Sequence, residues 1–186
     1  MPDRNKRDAV VAPEKGGGKR PSAPLPKLNL CGDIGLKIGR DGTWYYQGGP
    51  IGRKGLVKLF ASVLRLEDDG SYYLVTPVEK VPIAVEAMPF VAVEMVREGS
   101  GESQHLSFRS NVDDVVTAGP EHPLGFEPEP PGFTPFVLVR GGLKARLARP
   151  VYYELAALAT ERAGGEGLGV WSGGQFFPFP SGDGGD

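Results

Sequence analysis

Cationic, aromatic and glycine residues crowd into GRDGTWYYQGGPIGRKGLVKLF, from Gly39 to Phe60. Arg53 and Lys54 stand at an expected helix start, where free backbone N–H groups and the helix dipole favour anions. The preceding turn, GGPIG, lets a ligand approach the backbone closely. Arg40, and Arg109 further along, add planar guanidinium groups suited to bidentate contacts. Trp44, Tyr46, Tyr73 and Phe108 are candidates to stack on a flat ring, and Asn111 and Asp113 to read polar edges or a sugar. The chemistry these types share is capture of an anionic, partly aromatic molecule. Each has a plainer reading that stays open. Trp44 suits a core, Arg53 and Lys54 a solvated helix start, and RSNVDD an Asx turn.

Other chemistries find little support. No serine sits in a G-x-S-x-G elbow. GGGKR, Gly16 to Arg20, lacks both the hydroxyl residue after Lys19 and the earlier glycine of a phosphate-binding loop. GGEGLG, Gly164 to Gly169, does not fit G-x-G-x-x-G and follows a helix pattern rather than a strand. The two histidines, His105 and His122, have no metal-ligand spacing, so no metal or other cofactor is expected. Glu67, Asp68, Asp69, Asp113 and Asp114 leave a carboxylate magnesium site open, although the first three read as a turn.

Which elements would position these groups? LNLCGDIGLKI reads as a glycine-broken strand, Asp41–Gly42 as a hairpin turn into TWYY, and Pro50 as a helix start. Leu56, Leu59, Phe60, Val63 and Leu64 follow the i, i+3, i+4 rule, so a helix is expected from Arg53 to the stop EDDG. SYYLVTP, VPIAVE, FVAVEMVRE and HLSFRSN read as strands, with Pro82 and Pro89 as punctuation. GPEHPLGFEPEPPGFTP, residues 119–135, reads as an exposed loop because its prolines oppose a sheet interior. PFVLVRGGLKARLARPVYYELAALATERA then repeats strand, glycine turn, strand, proline and helix. Arg40 to Pro50 and Arg140 to Pro150 span the same distance, which suggests an internal duplication.

The chain has 186 residues, 40% of them hydrophobic, enough for one ordinary domain or two small ones. Residues 1–27 hold seven Lys/Arg against three Asp/Glu, whereas the remainder holds fourteen against twenty. A basic tail on an acidic body argues against nucleic-acid binding. The tails, 1–27 and 181–186, read as disordered. A single cysteine, Cys31, fits a reducing cytoplasm, and nothing resembles a signal peptide or an apolar span.

CGDIGLKIGRDGTWYYQGGPIGRKGLVKLFASVL, SYYLVTPVEKVPIAVE, LSFRSNVDDVVTAGPEHPL, VRGGLKARLARPVYYEL and LGVWSGG together resemble bacterial domain-of-unknown-function family 1285 over about residues 28–180. The resemblance implies an α+β chain with a duplicated core: a subdomain at 28–88 and a second at 89–180. Each would hold a β-hairpin, helix and strand unit, the second with a larger antiparallel sheet and a C-terminal helix, similar to pleckstrin-homology folds. It also implies a nucleotide-like ligand between the domains and a role in signal transduction. A lipid headgroup is not expected, because VREGSGESQ, the hairpin that would hold it, carries Arg97 alone.

The expectation is therefore a cytoplasmic, non-enzymatic module binding a phosphate-bearing molecule through Arg40, Trp44, Arg53, Lys54, Tyr73, Phe108, Arg109, Asn111 and Asp113. A protein-interaction scaffold or homodimer without a small ligand is one alternative. An enzyme acting on a phosphorylated substrate through Asp113 or Glu79 is another.

Overall fold

The structure, a computed structural model, describes residues 29–30, 32–162 and 167–180. The tails expected to be disordered lie outside these residues, as do Cys31 and most of GGEG. After a two-residue strand β1 (Asn29–Leu30), the first hairpin joins β2 (Leu36–Ile38) to β3 (Trp44–Tyr46). Its turn is set by two residues. The Asp41 carboxylate accepts the Thr43 N–H at 3.0 Å and the Thr43 hydroxyl at 2.8 Å. Gly42 takes φ +82°, the left-handed region that glycine enters without steric cost.

Pro50 does not start the helix. It lies in β4 (Gly49–Pro50), a short edge strand on β3, where its missing N–H faces no partner. Helix α1 runs from Lys54 to Val63, with Arg53 at its N-cap and no side-chain cap. Its buried face is Val57, Phe60 and Ala61, continued by Leu64, so the expected period holds but its phase is turned. Leu59, expected inside, is 60% exposed. The helix stops before EDDG. Leu64 is already extended in β5 (Leu64–Leu66), and Arg65 Nη1 covers the Ser62 and Leu64 carbonyls at 3.2 and 2.7 Å. EDDG is instead the turn from β5 to β6 (Tyr72–Val75), closed by Gly70 N–H on the Glu67 carbonyl at 2.9 Å.

Pro82 lies inside β7 (Glu79–Val85) rather than ending a strand. One edge of β7 pairs with β1 at residues 79–80 and with β2 at 84–85, and Pro82 falls in the gap between them. The first sheet has the order β4-β3-β2-β7-β6-β5, with β1 beside β7.

The second sheet follows. Its strands are β8 (Phe90–Glu98), β9 (His105–Ser110), β10 (Val115–Thr117), β11 (Leu124–Glu129), β12 (Gly132–Arg140) and β13 (Leu143–Leu147). Its order is β10-β9-β8-β13-β12-β11. The proline-rich segment expected as a loop is thus mostly two paired strands. β11 is an edge strand, which tolerates Pro128. Pro135 faces β11 only, because β12 meets β13 from Phe136 onward. Helix α2 (Arg149–Ala156) buries Val151 and Leu155 and packs on β8. A third sheet, β14 (Thr160–Glu161), β15 (Leu168–Ser172) and β16 (Gln175–Pro178), docks on β9. There Ser172 Oγ accepts the Leu106 N–H at 2.9 Å and donates to the Ala118 carbonyl at 2.7 Å.

The molecule is thus a mostly-sheet α+β chain with two domains, each built on one six-strand path. The two paths share a plan: an outgoing three-strand meander, an incoming one, and a parallel pair at the centre, β2 with β7 and β8 with β13. That plan sets β2 against β8, so the repeat read from Arg40–Pro50 and Arg140–Pro150 is not the repeat of the fold. β2 is a central strand, whereas β12 is one strand from the edge. The strand after α1 joins the first sheet, whereas the strands after α2 form the separate third sheet. One hydrophobic cluster runs through both domains, with Ile38, Trp44 and Leu64 on one side and Phe90, Phe108 and Leu143 on the other, none more than 1% exposed.

Candidate functional site

The domains meet where the β2–β3 turn touches the turn between β9 and β10. Asn111 is the link. Its Oδ1 accepts the Val91 N–H at 3.0 Å, and its Nδ2 donates to the Gly42 carbonyl at 3.1 Å. A Cβ on Gly42 would stand 2.7 Å from Val91 Cγ2 and 2.8 Å from Asn111 Nδ2, so close approach demands glycine here. Lys58 of α1 pairs with Asp113. Asp113 also accepts from Arg109 Nη1 at 3.1 Å, and Arg109 Nε reaches Glu94 at 2.6 Å. Arg140 Nη2 donates to the Ala61 carbonyl at 2.8 Å, near the helix C-terminus where a cation is favoured, and Nη1 pairs with Asp114. Arg40 pairs with Glu129 across the same seam.

A pocket of about 260 Å³ opens at the seam, walled by Gly42, Thr43, the entry to α1 and Asn111. Lys54 and Lys58 line it, and among the described residues no carboxylate does. Helical hydrogen bonding begins with Leu56 and Val57 N–H on the Arg53 carbonyl, at 3.0 and 3.2 Å. The N–H groups of Lys54 and Gly55, in the first turn, therefore have no acceptor within the helix. Trp44 lies against the pocket. Its ring stacks on Phe60 with centroids 6.1 Å apart, and its buried Nε1–H has no acceptor among the described residues. The Lys54 ammonium and its backbone N–H, with Lys58 beside them already paired with Asp113, can hold an anion of phosphate size.

The expected residues do not all converge on one place. Lys54, Asn111 and Trp44 meet at the pocket, but Trp44 is a core side chain, 1% exposed, rather than a stacking platform. Phe108 is likewise core, 1% exposed, and faces no ligand. Asp113 and Arg109 stand behind the pocket, connected to it through Lys58. Arg53 points elsewhere, beside Leu56 and Leu59. Tyr73 is remote on β6, with Lys80 Nζ 4.0 Å above its ring, and Arg40 lines a separate cleft beside Glu86. Lys58 falls within the expected helix but is not among the expected site residues. Its functional position depends on the phase of α1, which periodicity fixed to within about one residue. The clamp role of Arg140 needs the tertiary contact with Ala61 and has no local signal.

Lys58, through a hydrogen bond and its charge, holds Asp113 below the usual carboxylate range, and Arg109 adds to this. A carboxylate whose folded pKa is depressed adds stability above its unfolded pKa, near 3.9 for Asp, and loses it as pH falls through the lower folded value. Asp113→Asn should therefore flatten the acid side of the melting-temperature profile below about pH 4 and leave its slope near neutrality unchanged. A pH series of thermal melts checks this.

Among the described residues, no helix is long and apolar enough to cross a membrane, and no group of three or more His, Cys, Asp or Glu is placed to hold a metal ion. Fold and seam together define a two-domain α+β protein whose candidate site draws on both domains. Residues 25–88 match the family model described as the N-terminal domain of unknown function DUF1285, and residues 89–179 match the C-terminal domain of the DUF1285 protein of unknown function. The chain belongs to the DUF1285 family. It is similar to the crystal structure of a DUF1285 family protein from Silicibacter pomeroyi DSS-3, with 43% identity and a TM-score of 0.76 over 84% of this chain and 86% of that one. It is also similar to a DUF1285 family protein from Shewanella baltica OS155, with 27% identity and a TM-score of 0.53 over 67% of this chain and 91% of that one. No curated protein matches it.

Proposed function

We propose that this chain is a ligand-binding module that takes a phosphate-bearing small molecule at the domain seam. The phosphate would sit on the ammonium and backbone N–H of Lys54, with Lys58 shared between it and Asp113. The observation that carries this reading is a pocket lined by two lysines and, among the described residues, no carboxylate, with walls from both domains. At about 260 Å³ it falls below the roughly 300–1,000 Å³ of sites that enclose a whole small molecule. It therefore suits the phosphate and the group next to it. Because Trp44 and Phe108 are core, a nucleotide would be recognised by its phosphate more than by its base. Nucleotides remain members of the class, alongside sugar phosphates and other cytoplasmic phosphometabolites.

A ligand touching both domains changes how firmly they are coupled, which suits a signalling module. A sheet followed by α2 is the part of the second domain that fits the pleckstrin-homology-like reading, whereas the parallel pair β8 and β13 and the three strands after α2 depart from an antiparallel sheet with a C-terminal helix. Asp113, held as an anion between Lys58 and Arg109, is a weak base, which favours binding over catalysis. Thermal melts with inorganic phosphate, sugar phosphates and nucleotides test the proposal. A ligand at ~100 times its Kd adds about 2.7 kcal/mol. The added stability should fall by about half or more in Lys54→Ala and persist in Arg53→Ala. No shift with any phosphate compound would refute the reading.

A further inference from the structure

A second cleft lies beside the seam, lined by other residues than the phosphate pocket. Two adjoining cavities of about 670 and 260 Å³ share Arg40 and Glu86 as walls. Their lining carries more carboxylates than cations, yet almost every charged group already has a hydrogen-bond partner. Glu86 accepts from Lys37 Nζ at 2.8 Å and from the Arg40 N–H at 3.0 Å. Glu129 takes Arg40 and the Thr134 hydroxyl, and Glu127 pairs with Lys144. Asp41 is satisfied by Thr43, and Asp33 accepts the Gly35 N–H at 2.7 Å.

Arg146 is different. It lines the smaller cavity from β13, a strand held between β12 and β8. Its charge acts at a distance on Glu129 and Asp41, but the structure gives it no hydrogen bond or ion pair among the described residues, and its Nε is buried without an acceptor. A buried guanidinium nitrogen left unpaired is costly and rare, and it marks where an acceptor belongs. The planar fork fits a carboxylate in two parallel hydrogen bonds. A phosphate dianion suits the place poorly. One guanidinium cannot balance it, and Glu86, Glu127 and Glu129 on the same walls repel it. A ligand that brings its own cation has the opposite relation to those walls.

We propose that this cleft is a second ligand site that takes a zwitterionic amino acid. Its carboxylate sits on Arg146 and its ammonium faces Glu86 and Glu129, with the side chain extending into the larger cavity beside Tyr45. The paired carboxylates keep lone pairs free to accept from an ammonium group. Because Arg146 sits on a central strand, the anchor is preorganised.

Melts of the full chain with each free L-amino acid, then with N-acetylated and C-amidated forms of any that bind, test this. At least one free amino acid should raise the melting temperature, and either modification should abolish the rise. Arg146→Gln should remove the effect. Arg146→Lys, which keeps the charge but not the fork, should weaken binding about tenfold or more and covers the case of a poorly folded Gln variant. Lys54→Ala should leave the effect intact, which separates this site from the phosphate pocket. The proposal is overturned if no amino acid stabilises the native chain, if Arg146→Lys binds as well as native, or if acetylated and amidated forms bind equally.

Discussion

Replacing Trp44 with alanine is expected to cost about 3–5 kcal/mol, the usual range for truncating a buried large aromatic residue. At ~2–4 °C per kcal/mol for a chain of this length, the melting temperature should fall by about 6–20 °C. The indole is 1% exposed and stacks on Phe60, so it joins β3 to α1 and thereby fixes where Lys54 and Lys58 stand. Trp44→Phe should cost much less. It keeps a ring against Phe60 and removes a buried N–H that has no acceptor among the described residues. If Trp44 were a ligand platform instead, alanine would weaken binding and barely move the ligand-free melt.

Gly42→Ala is the second large effect. A non-glycine residue at φ +82° costs roughly 1–2 kcal/mol. The added Cβ also pushes on Asn111 Nδ2 and Val91 Cγ2, and losing the Asn111 bridge leaves buried groups unsatisfied at about 1–3 kcal/mol. The sum is about 2–5 kcal/mol, readable as a lower urea midpoint. Asn111→Ala should reproduce part of this loss. The double variant should cost less than the two single losses added, because both remove the same bridge. Additive losses would mean that the two residues act independently.

Much of this architecture was legible in the sequence. Asp41–Gly42 marked its hairpin because the turn is local chemistry, carried by one aspartate and one glycine. Strands such as FVAVEMVRE and HLSFRS announced themselves by composition and flanking turns. What failed were the positions decided by partners far along the chain. Prolines read as breakers at 82, 128 and 135 sit in strands, because their empty donor positions face an edge or a gap in pairing. Pro50 was taken for a helix start because a proline suits both N1 and a strand edge. The hairpin, proline and helix match was real in sequence, yet the shared strand order sets β2 against β8, which no local signal discloses. The site was half legible. Its glycine-rich entry and Lys54 were visible, whereas Lys58, Gly42 as a bridgehead and the unpaired Arg146 emerge only from the seam.

The central claim is that the phosphate-recognising cation is Lys54, in the seam pocket, and not its neighbour Arg53. Calorimetric titration of the native chain, Lys54→Ala and Arg53→Ala with the best-binding phosphate compound tests it directly. The account predicts saturable binding to the native chain, unchanged in Arg53→Ala and weakened about tenfold or more in Lys54→Ala. Equal binding by all three, or loss in Arg53→Ala alone, would contradict it.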